Sequence, residues 1–409
     1  MVETMKGVRI LEVAQFTFVP VASAILADWG ADVIKIEHPV RGDTQRGFIN
    51  LDGAPVNPNR NVMMAHPNRG KRSVGVDIST VGGRELIYEL AKDCDVFLTN
   101  YLPQHLRKLM IDVEHIRAAN PQIIYARGSA FGAKGPDREK GGFDSTAFWA
   151  RGGSAMCVTP PELGGPLTQP GPAYGDTIGG TNIALGIAAA LLHRERTGEA
   201  LEVDVSLLGS GVWANGMGLA MAMEIGRVPF QAKMPKSGGV KGNPFVGVFQ
   251  TADGSYLNLT ILTPGPYLED TWAHLGRPEL MQDSRFNTAE ALMENWVDGS
   301  VEVTRAIASQ PMSYWRERFA TLRGQWAPYQ TLMDIANDPQ VLANDMIIEV
   351  ESNDGGEPLK LVSAPVQFNS EPSRPARCPE ASEHTEVVLM ERGVEWETIE
   401  RLKEQGVIA

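Results

Sequence analysis

The sequence has few cysteines and no histidine cluster. Three cysteines stand far apart among the 409 residues, at Cys94, Cys157 and Cys378. They form neither a C-x-x-C pair nor a disulfide framework, a pattern typical of a reducing compartment. We therefore expect a cytoplasmic protein without disulfides. The seven histidines are scattered without ligand spacing, so no dedicated metal site is expected.

Long apolar runs and an excess of positive charge are also missing. The longest apolar stretch, 183–192, is too short to span a bilayer. The first residues lack the basic and then apolar order of a signal peptide. The formal net charge is −13, which argues against DNA or an anionic membrane as the main partner. We expect neither nucleic acid nor membrane as a partner, although local cations can still hold an anionic ligand.

Strands and helices alternate over the N-terminal part of the chain. Helical patterns, such as the one at 20–29, separate short apolar runs. This alternation predicts an α/β fold with an open, Rossmann-like sheet and ligand sites near the carboxyl ends of its strands. The runs that predict strands are 7–13, 31–37, 72–78, 94–100 and 122–130.

The middle of the chain has a different pattern. Residues 132–175 are rich in Gly and Pro, which predicts a long functional surface in place of regular structure. Residues 178–197 predict a helix that Gly198 closes after a basic last turn. Residues 245–262 predict a hairpin that turns at Asp253-Gly254.

A chain of this length is expected to form two domains or one elaborated domain. We predict a large α/β domain over 1–224, which 341–409 complete. A smaller α+β domain is predicted over 225–340.

Five segments in order carry a family signal. They are GVRILEVAQ…LADWGADVIKIEHPVRGD near the start, NRGKRSVGVD, DVFLTNYLP, GGFDSTAFWARGG, and PAYGDTIGGTNIALGIAAALLHRERTG at 172–198. Together they resemble the class III CoA-transferases, the family of formyl-CoA transferase, carnitine CoA-transferase and α-methylacyl-CoA racemase. The resemblance implies an interlocked homodimer whose substrates are an acyl-CoA and a small carboxylic acid. It implies no permanently bound cofactor, since the coenzyme A thioester is itself a substrate.

Asp176 is the candidate catalytic residue. By itself, Gly-Asp-Thr before a long helix predicts a helix N-cap. Members of the resembling family place their catalytic aspartate in this Gly-Asp motif. The resemblance therefore implies that Asp176 attacks the acyl-CoA carbonyl and forms a mixed aspartyl anhydride. Both roles are compatible, because a helix N-terminus stabilises a carboxylate.

Positive and polar side chains in the matching segments predict the CoA site. The nucleotide needs cations for its phosphates and an apolar slot for adenine. The pair that the family places near the pantetheine corresponds to Asn100 and Tyr101. The cations expected near the phosphates are His38, Lys71, Arg72 and Lys108.

The resemblance also predicts the surroundings of the acyl group. Asp144 corresponds to an acidic residue near the family's active site. A glycine-rich loop that closes over the catalytic aspartate corresponds to Gly238 and Gly239, although composition alone equally fits a flexible linker. The residues expected against the acyl group, directly after the first strand, are Gln15, Phe16 and Thr17.

Specific residues disfavour other activities. Racemisation needs two acid/base groups on opposite faces of the α-carbon. The racemases supply one as histidine in G-H-D, where this chain has Gly142-Phe143-Asp144, so transfer of CoA between two acids is favoured and racemisation is the alternative. An intramolecular CoA shift within one dicarboxylic acid is chemically equivalent and stays open. A non-catalytic binding protein would lack Asp176, and an NAD-dependent dehydrogenase needs a G-x-G-x-x-G turn that is missing after the first strand.

Overall fold

The computed structural model describes residues 2–48, 50–51, 53–229, 232–234 and 236–409. The chain divides into two units, residues 1–232 with 339–409, and residues 233–338. The strands are β1 Arg9–Val13, β2 Asp32–Glu37, β3 Asn50–Leu51, β4 Ala54–Pro55, β5 Arg72–Gly75, β6 Val96–Thr99, β7 Ile124–Ser129, β8 Glu202–Ser206, β9 Gly238–Val240, β10 Asn243–Gln250, β11 Tyr256–Thr260, β12 Trp326–Pro328, β13 Ile347–Val350 and β14 Leu359–Val362. The helices are α1 Phe18–Asp28, α2 Val62–Asn68, α3 Val81–Lys92, α4 Pro103–Leu109, α5 Val113–Ala119, α6 Ser154–Val158, α7 Tyr174–Thr197, α8 Leu207–Ala214, α9 Gly216–Ile225, α10 Leu268–His274, α11 Ala289–Glu294, α12 Trp296–Ala308, α13 Met312–Arg318, α14 Leu332–Ile335, α15 Pro339–Ala343, α16 Thr385–Glu391 and α17 Trp396–Glu404.

The larger unit is built on a six-stranded sheet in the order β5-β2-β1-β6-β7-β8. Every neighbouring pair is parallel, and the predicted α/β fold is confirmed. The chain adds strands outward from β1 in one direction, and then in the other direction from β6. This reversal is the switch point at which ligands bind in doubly wound sheets.

Helices cover both faces of this sheet. Side chains alternate along β1, so Ile10 packs with α1 and α7 on one face. Leu11 packs on the other face with α3, α5 and the C-terminal helices α16 and α17. Because both faces are buried, the strands read as nearly continuous apolar runs, which made them predictable.

An ionic cluster lies inside this core. The Oε1 atom of Glu12 is 2.9 Å from Lys35 Nζ, and its Oε2 atom is 2.7 Å from Lys71 Nζ. Lys35 Nζ also lies 2.9 Å from a carboxylate oxygen of Asp43. The side chains of all four residues have no exposed surface. Burial alone would raise the pKa of Glu12, but the charges of the two lysines lower it to about 2.

Helix α7 differs from its predicted form. It begins at Tyr174, earlier than expected, and runs for 24 residues to Thr197. Asp176 therefore lies in its first turn, and the N-cap position belongs to Ala173, whose φ is 59°. Among the described helices, α7 alone is long and apolar enough to cross a membrane, yet it packs against α1 in the core of the larger unit.

The segment 132–175 is less irregular than predicted. Residues 145–151 form a π-helical segment and 154–158 form α6. Buried Phe148 and Trp149 anchor the first of these to the core, which explains why regular structure forms in a segment rich in Gly and Pro.

The smaller unit contains a four-stranded antiparallel sheet in the order β12-β11-β10-β9. The hairpin of β10 and β11 turns through Asp253-Gly254 as predicted. Helices α10 to α13 pack on the sheet around the fully buried Trp272 and the nearly fully buried Trp315.

The ionic cluster predicts a large effect of Lys71→Met on stability. The change leaves Glu12 Oε2 without its cation in the core, and breaking one partner of a buried pair costs about 3 kcal/mol in the free energy of unfolding. Urea unfolding followed by circular dichroism measures the loss. The matched control is Lys92→Met, whose ion pair with Glu89 is exposed. Equal stability of the two variants would contradict the prediction.

Candidate active site

A cleft of about 930 Å³ lies at the carboxyl ends of the parallel strands. It is lined by segments that follow β1, β6, β7 and β8, together with the first turn of α7. The predicted residues that line it are Gln15, Phe16, Asn100, Tyr101 and Asp176. The cleft is therefore located at the switch point of the sheet, where the fold places ligands.

Hydrogen bonds join the two strand ends at the switch point. The side chain of Asn100 accepts the Gln15 N–H at 3.2 Å and donates to the Gln15 carbonyl oxygen at 2.6 Å. The Gln15 side-chain amide donates to the Tyr101 hydroxyl at 3.1 Å. Asn100 thus extends the pairing of β1 with β6 beyond their last residues. The structure brings these three predicted residues together.

The chain turns sharply after Gln15. Phe16 has a φ of 65°, a left-handed conformation that is uncommon for a bulky residue. Its N–H donates to Asp43 Oδ1 at 3.2 Å, which supports this conformation. The Thr17 hydroxyl points inward and donates to Gln45 Oε1 at 2.9 Å. Thr17 is buried and does not line the cleft, contrary to the expected contact with the acyl group.

Asp176 is half-buried beside a second acidic residue. Burial and, secondly, the charge of Asp144 raise the pKa of Asp176 to about 7. Asp144 is held in place by the Ser145 N–H at 2.7 Å and the Gly175 N–H at 3.2 Å. A side chain at position 175 would meet the Phe148 ring at 2.6 Å. Glycine there lets the first turn of α7 lie directly against the segment that carries Asp144.

The predicted phosphate-binding cations are separated by the fold. Lys71 is buried in the ionic cluster, where its ammonium also donates to the Pro20 carbonyl oxygen at 2.9 Å. It has no exposed surface to offer a phosphate, so we leave Lys71 out of the CoA site. Arg72 is bound by Asp32 and Glu391, each at 2.6 Å, and does not line the large cleft, so it is left out as well.

His38 and Lys108 remain candidates for the nucleotide. His38 lines a second cleft of about 460 Å³ at the carboxyl end of β2. Its Nδ1 atom accepts the N–H groups of Val40 and Arg41, at 3.1 and 3.3 Å. Gln15 and Tyr101 line both clefts. Lys108 is exposed on α4.

Three cations that the sequence analysis missed line the large cleft: Arg138, Lys140 and Arg151. Asp137 pairs with Lys140 at 2.7 Å and with Arg151 at 2.5 Å. Arg138 and Lys140 belong to the charged run PDREK directly before the GGFD motif, and Arg151 lies in the segment GGFDSTAFWARGG. They were overlooked because the whole segment was interpreted as an irregular surface.

Gly238 and Gly239 lie in β9 of the smaller unit, where a loop or linker was expected. The Gly239 N–H donates to Ser300 Oγ at 2.7 Å. A side chain at Gly239 would meet the Pro244 backbone at 2.5 Å. Gly239 is required by the close packing of β10, and Gly238 has a φ of 141°, a conformation that residues with side chains rarely adopt. The expected mobile loop is corrected to a strand.

Nearly the whole chain matches one known protein family. Residues 5–385 match the model of CoA-transferase family III. The (R)-2-hydroxy-4-methylpentanoate CoA-transferase of Clostridioides difficile is 28% identical over 405 residues, which cover 99% of each chain. The cinnamoyl-CoA:phenyllactate CoA-transferase of Clostridium sporogenes is 30% identical over 406 residues, which cover 97% of this chain and 95% of the relative.

Solved structures show the same fold. Rv3272 from Mycobacterium tuberculosis superposes with a TM-score of 0.78 at 27% identity, and covers 94% of this chain and 98% of its own. A CAIB/BAIF family protein from Brucella suis gives 0.77 at 26% identity, with 95% and 99% covered. The family model spans nearly the full chain and the named relatives are CoA-transferases, so this chain is an enzyme that belongs to CoA-transferase family III.

Proposed function

We propose that the enzyme moves CoA from an acyl-CoA donor to a carboxylic acid acceptor, with Asp176 as the covalent nucleophile. The observation that carries this proposal is the position of Asp176. Its half-buried carboxyl group lies in the cleft at the switch point, in the first turn of a long helix. Asn100, Tyr101 and Gln15 line the same cleft and are assigned to the pantetheine and the thioester.

Each step of the transfer balances without water or ATP. A carboxylate oxygen of Asp176 attacks the thioester carbon, the C–S bond breaks, and CoA leaves as a thiolate. The thiolate attacks the Asp176 carbonyl carbon of the mixed anhydride, releasing the donor acid and forming an aspartyl thioester. The acceptor carboxylate attacks the carbonyl carbon of this thioester, the C–S bond breaks, and a second mixed anhydride and the CoA thiolate are formed. The thiolate then takes the acceptor acyl group, and the carboxylate of Asp176 is regenerated.

The surroundings of Asp176 suit this chemistry. A carboxylate is a weak nucleophile, so the reaction needs proximity and donors aimed at the developing oxyanion. The first turn of α7 supplies positive potential at this point through the dipole of the helix. A pKa of about 7 makes Asp176 more basic than an ordinary carboxylate while leaving much of it ionised at neutral pH.

We assign the CoA phosphates to the cations of the large cleft. Arg138, Lys140 and Arg151 line it with Asp176, and arginine binds phosphate through two parallel hydrogen bonds. His38 and Lys108 are assigned to the outer part of the nucleotide. This arrangement replaces the one based on Lys71.

The named relatives do not select one pair of acids. Besides the two transferases above, they include the succinyl-CoA:glutarate CoA-transferase of Mus musculus, which is 30% identical. An intramolecular shift of CoA uses the same steps. Racemisation requires a second acid/base group, and Phe143, which lines the cleft, cannot provide one.

We further propose that the enzyme is a homodimer. Helix α9 has no buried residue although its sequence, GMGLAMAMEI, is apolar. Trp213 is 80% exposed and Met217 is 83% exposed at the junction of α8 and α9. A contiguous apolar surface of this kind marks an interface. We assign it to a second copy of the chain, because two-fold symmetric homodimers are the commonest soluble assemblies.

An aspartyl intermediate predicts a chemical trap at Asp176. Incubation with an acyl-CoA substrate and a hydroxylamine quench should convert Asp176 to its hydroxamate, located by peptide mass spectrometry. Asp176→Asn should lose the adduct and at least about 1000-fold in kcat. Asp144→Asn is the matched control, since it keeps the nucleophile. Turnover with no adduct, or with the adduct on another residue, contradicts the assignment.

The raised pKa of Asp176 predicts the pH dependence of the first step. Only the carboxylate attacks, so kcat/KM should rise with pH and level off above about 7. Asp144→Asn removes the neighbouring charge that raises this pKa, so the rising limb should move to lower pH. Rates measured over pH 4–9 with one acyl-CoA test both statements. An unmoved limb in Asp144→Asn means that another group sets the profile.

The exposed helices predict the effect of charge on self-association. Trp213→Glu combined with Met217→Glu should convert a dimer into a monomer, because two buried charges disrupt an apolar interface. Light scattering coupled to gel filtration measures the mass. Trp396→Glu, at a half-exposed site on α17, should leave the dimer intact. A monomeric parent protein would refute the proposed dimer.

A further inference from the structure

Three phenylalanine rings, Phe16, Phe48 and Phe143, form a cluster that we call the aromatic wall. Phe16 and Phe143 line the large cleft together with Asp176. The ring centroids of Phe16 and Phe143 are 5.6 Å apart, in an edge-to-face arrangement, and those of Phe16 and Phe48 are 6.2 Å apart. Phe143 is 60% exposed and Phe48 is 42% exposed. Single exposed apolar residues are ordinary, but contiguous exposed rings that line a cleft indicate a binding surface.

The backbone positions of the aromatic wall are fixed on both sides. The N–H of Phe16 is bound by Asp43, whose other carboxylate oxygen is held by Lys35 of the ionic cluster. The N–H of Phe143 donates to Thr146 Oγ1 at 3.0 Å, and its carbonyl oxygen accepts from the same hydroxyl at 2.9 Å. A backbone held in this way lowers the ordering cost of binding, which raises affinity for a complementary group.

The aromatic wall is connected directly to the nucleophile. Phe143 precedes Asp144, and the Asp144 carboxylate accepts the N–H of Gly175, the residue before Asp176. Phe16, Phe143 and Asp176 line the same cleft. An acyl group whose carbonyl carbon is at Asp176 therefore shares its cleft with the rings of Phe16 and Phe143.

The charges at this point disfavour a second carboxylate on the acyl chain. Asp144 is the neighbouring charge that acts on Asp176, and no described cation lowers the pKa of Asp176. The terminal carboxylate of a short dicarboxylic acyl group would meet two acidic residues. The cations that line this cleft, Arg138, Lys140 and Arg151, are assigned to the phosphates of CoA, so they are engaged by the other end of the same thioester.

We propose that the aromatic wall holds an apolar acyl group, branched aliphatic or aromatic, and that the enzyme prefers such a thioester to that of a short dicarboxylic acid. The inference rests on the proposed CoA transfer and adds its substrate class. Phe143 is the specificity-determining residue, because it is the most exposed ring of the wall and stands next to Asp144.

Degenerate exchange tests the substrate class with one acid at a time. Each acyl-CoA is incubated with its own isotopically labelled acid, and label entering the thioester is measured for isovaleryl-CoA, 3-phenylpropanoyl-CoA, acetyl-CoA and succinyl-CoA. The two apolar thioesters should exceed succinyl-CoA in kcat/KM by at least about 10-fold, the discrimination expected from one or two buried carbon groups.

Variants of Phe143 separate specificity from structure. Phe143→Ala should lower kcat/KM for the two apolar thioesters by about 10-fold or more, with little change for acetyl-CoA, whose acyl group is too small to reach the wall. Phe143→Leu should retain most of the parent preference, because it keeps an apolar side chain. Trp396→Leu, an exposed ring far along the chain on α17, controls for the loss of surface aromatic area and should change nothing.

The outcomes distinguish this inference from the proposed function. A preference for succinyl-CoA, with the hydroxamate trap still at Asp176, overturns the aromatic wall as an acyl site and leaves the transfer mechanism intact. An equal loss for all thioesters in Phe143→Ala assigns Phe143 a structural role and also overturns the inference. Absence of exchange with every thioester refutes the proposed function and this inference together.

Discussion

Two neighbouring parallel strands, β1 and β6, send the chain away in opposite directions across the sheet, and the active-site cleft exists because of this reversal. Right-handed crossovers place the connections on opposite faces, and a cleft lies at the carboxyl ends where the two strands meet. Asn100 closes the ends with two hydrogen bonds to Gln15. The cleft is thus a result of topology, and the side chains at its base are the residues that directly follow the strands.

The ionic cluster supports the same region from below. Glu12 belongs to β1, Lys35 to β2 and Lys71 immediately precedes β5, so the cluster links three adjacent strands. Lys35 also pairs with Asp43. Asp43 in turn accepts the N–H of Phe16 and so stabilises the left-handed conformation of that residue. A charge buried at this depth is tolerated only because each partner is paired and hydrogen-bonded. The ionic cluster in the core therefore also stabilises the residues at the base of the cleft.

The strands and the hairpin were predictable because their signals are local: apolar runs for buried strands, and Asp-Gly for a turn. The start of α7 was not, since no capping side chain precedes it and Gly175 is required by Phe148, which is distant in sequence. The burial of Lys71 was also unpredictable, because a lysine in this motif fits a surface position equally well. Its burial depends on the ion pair with Glu12, which is distant in sequence. Likewise, Gly239 resembles a linker residue until its contact with the β10 backbone is known. The catalytic assignment of Asp176 came from family resemblance. The effect of Asp144 on its pKa could not be predicted, because the two residues are brought together only by the fold.

The position of Asp176 has a thermodynamic consequence for the folded state. A carboxyl group whose pKa is higher in the folded than in the unfolded chain gives a stabilising contribution that is present at low pH and is lost as pH rises through the folded value, here about 7. At neutral pH and above, the free enzyme therefore has a lower free energy of unfolding than it would have with Asp176 protonated. Acylation removes that charge, so the covalent intermediate should be the form of the protein with the highest thermal stability. The free enzyme should be the form with the lowest.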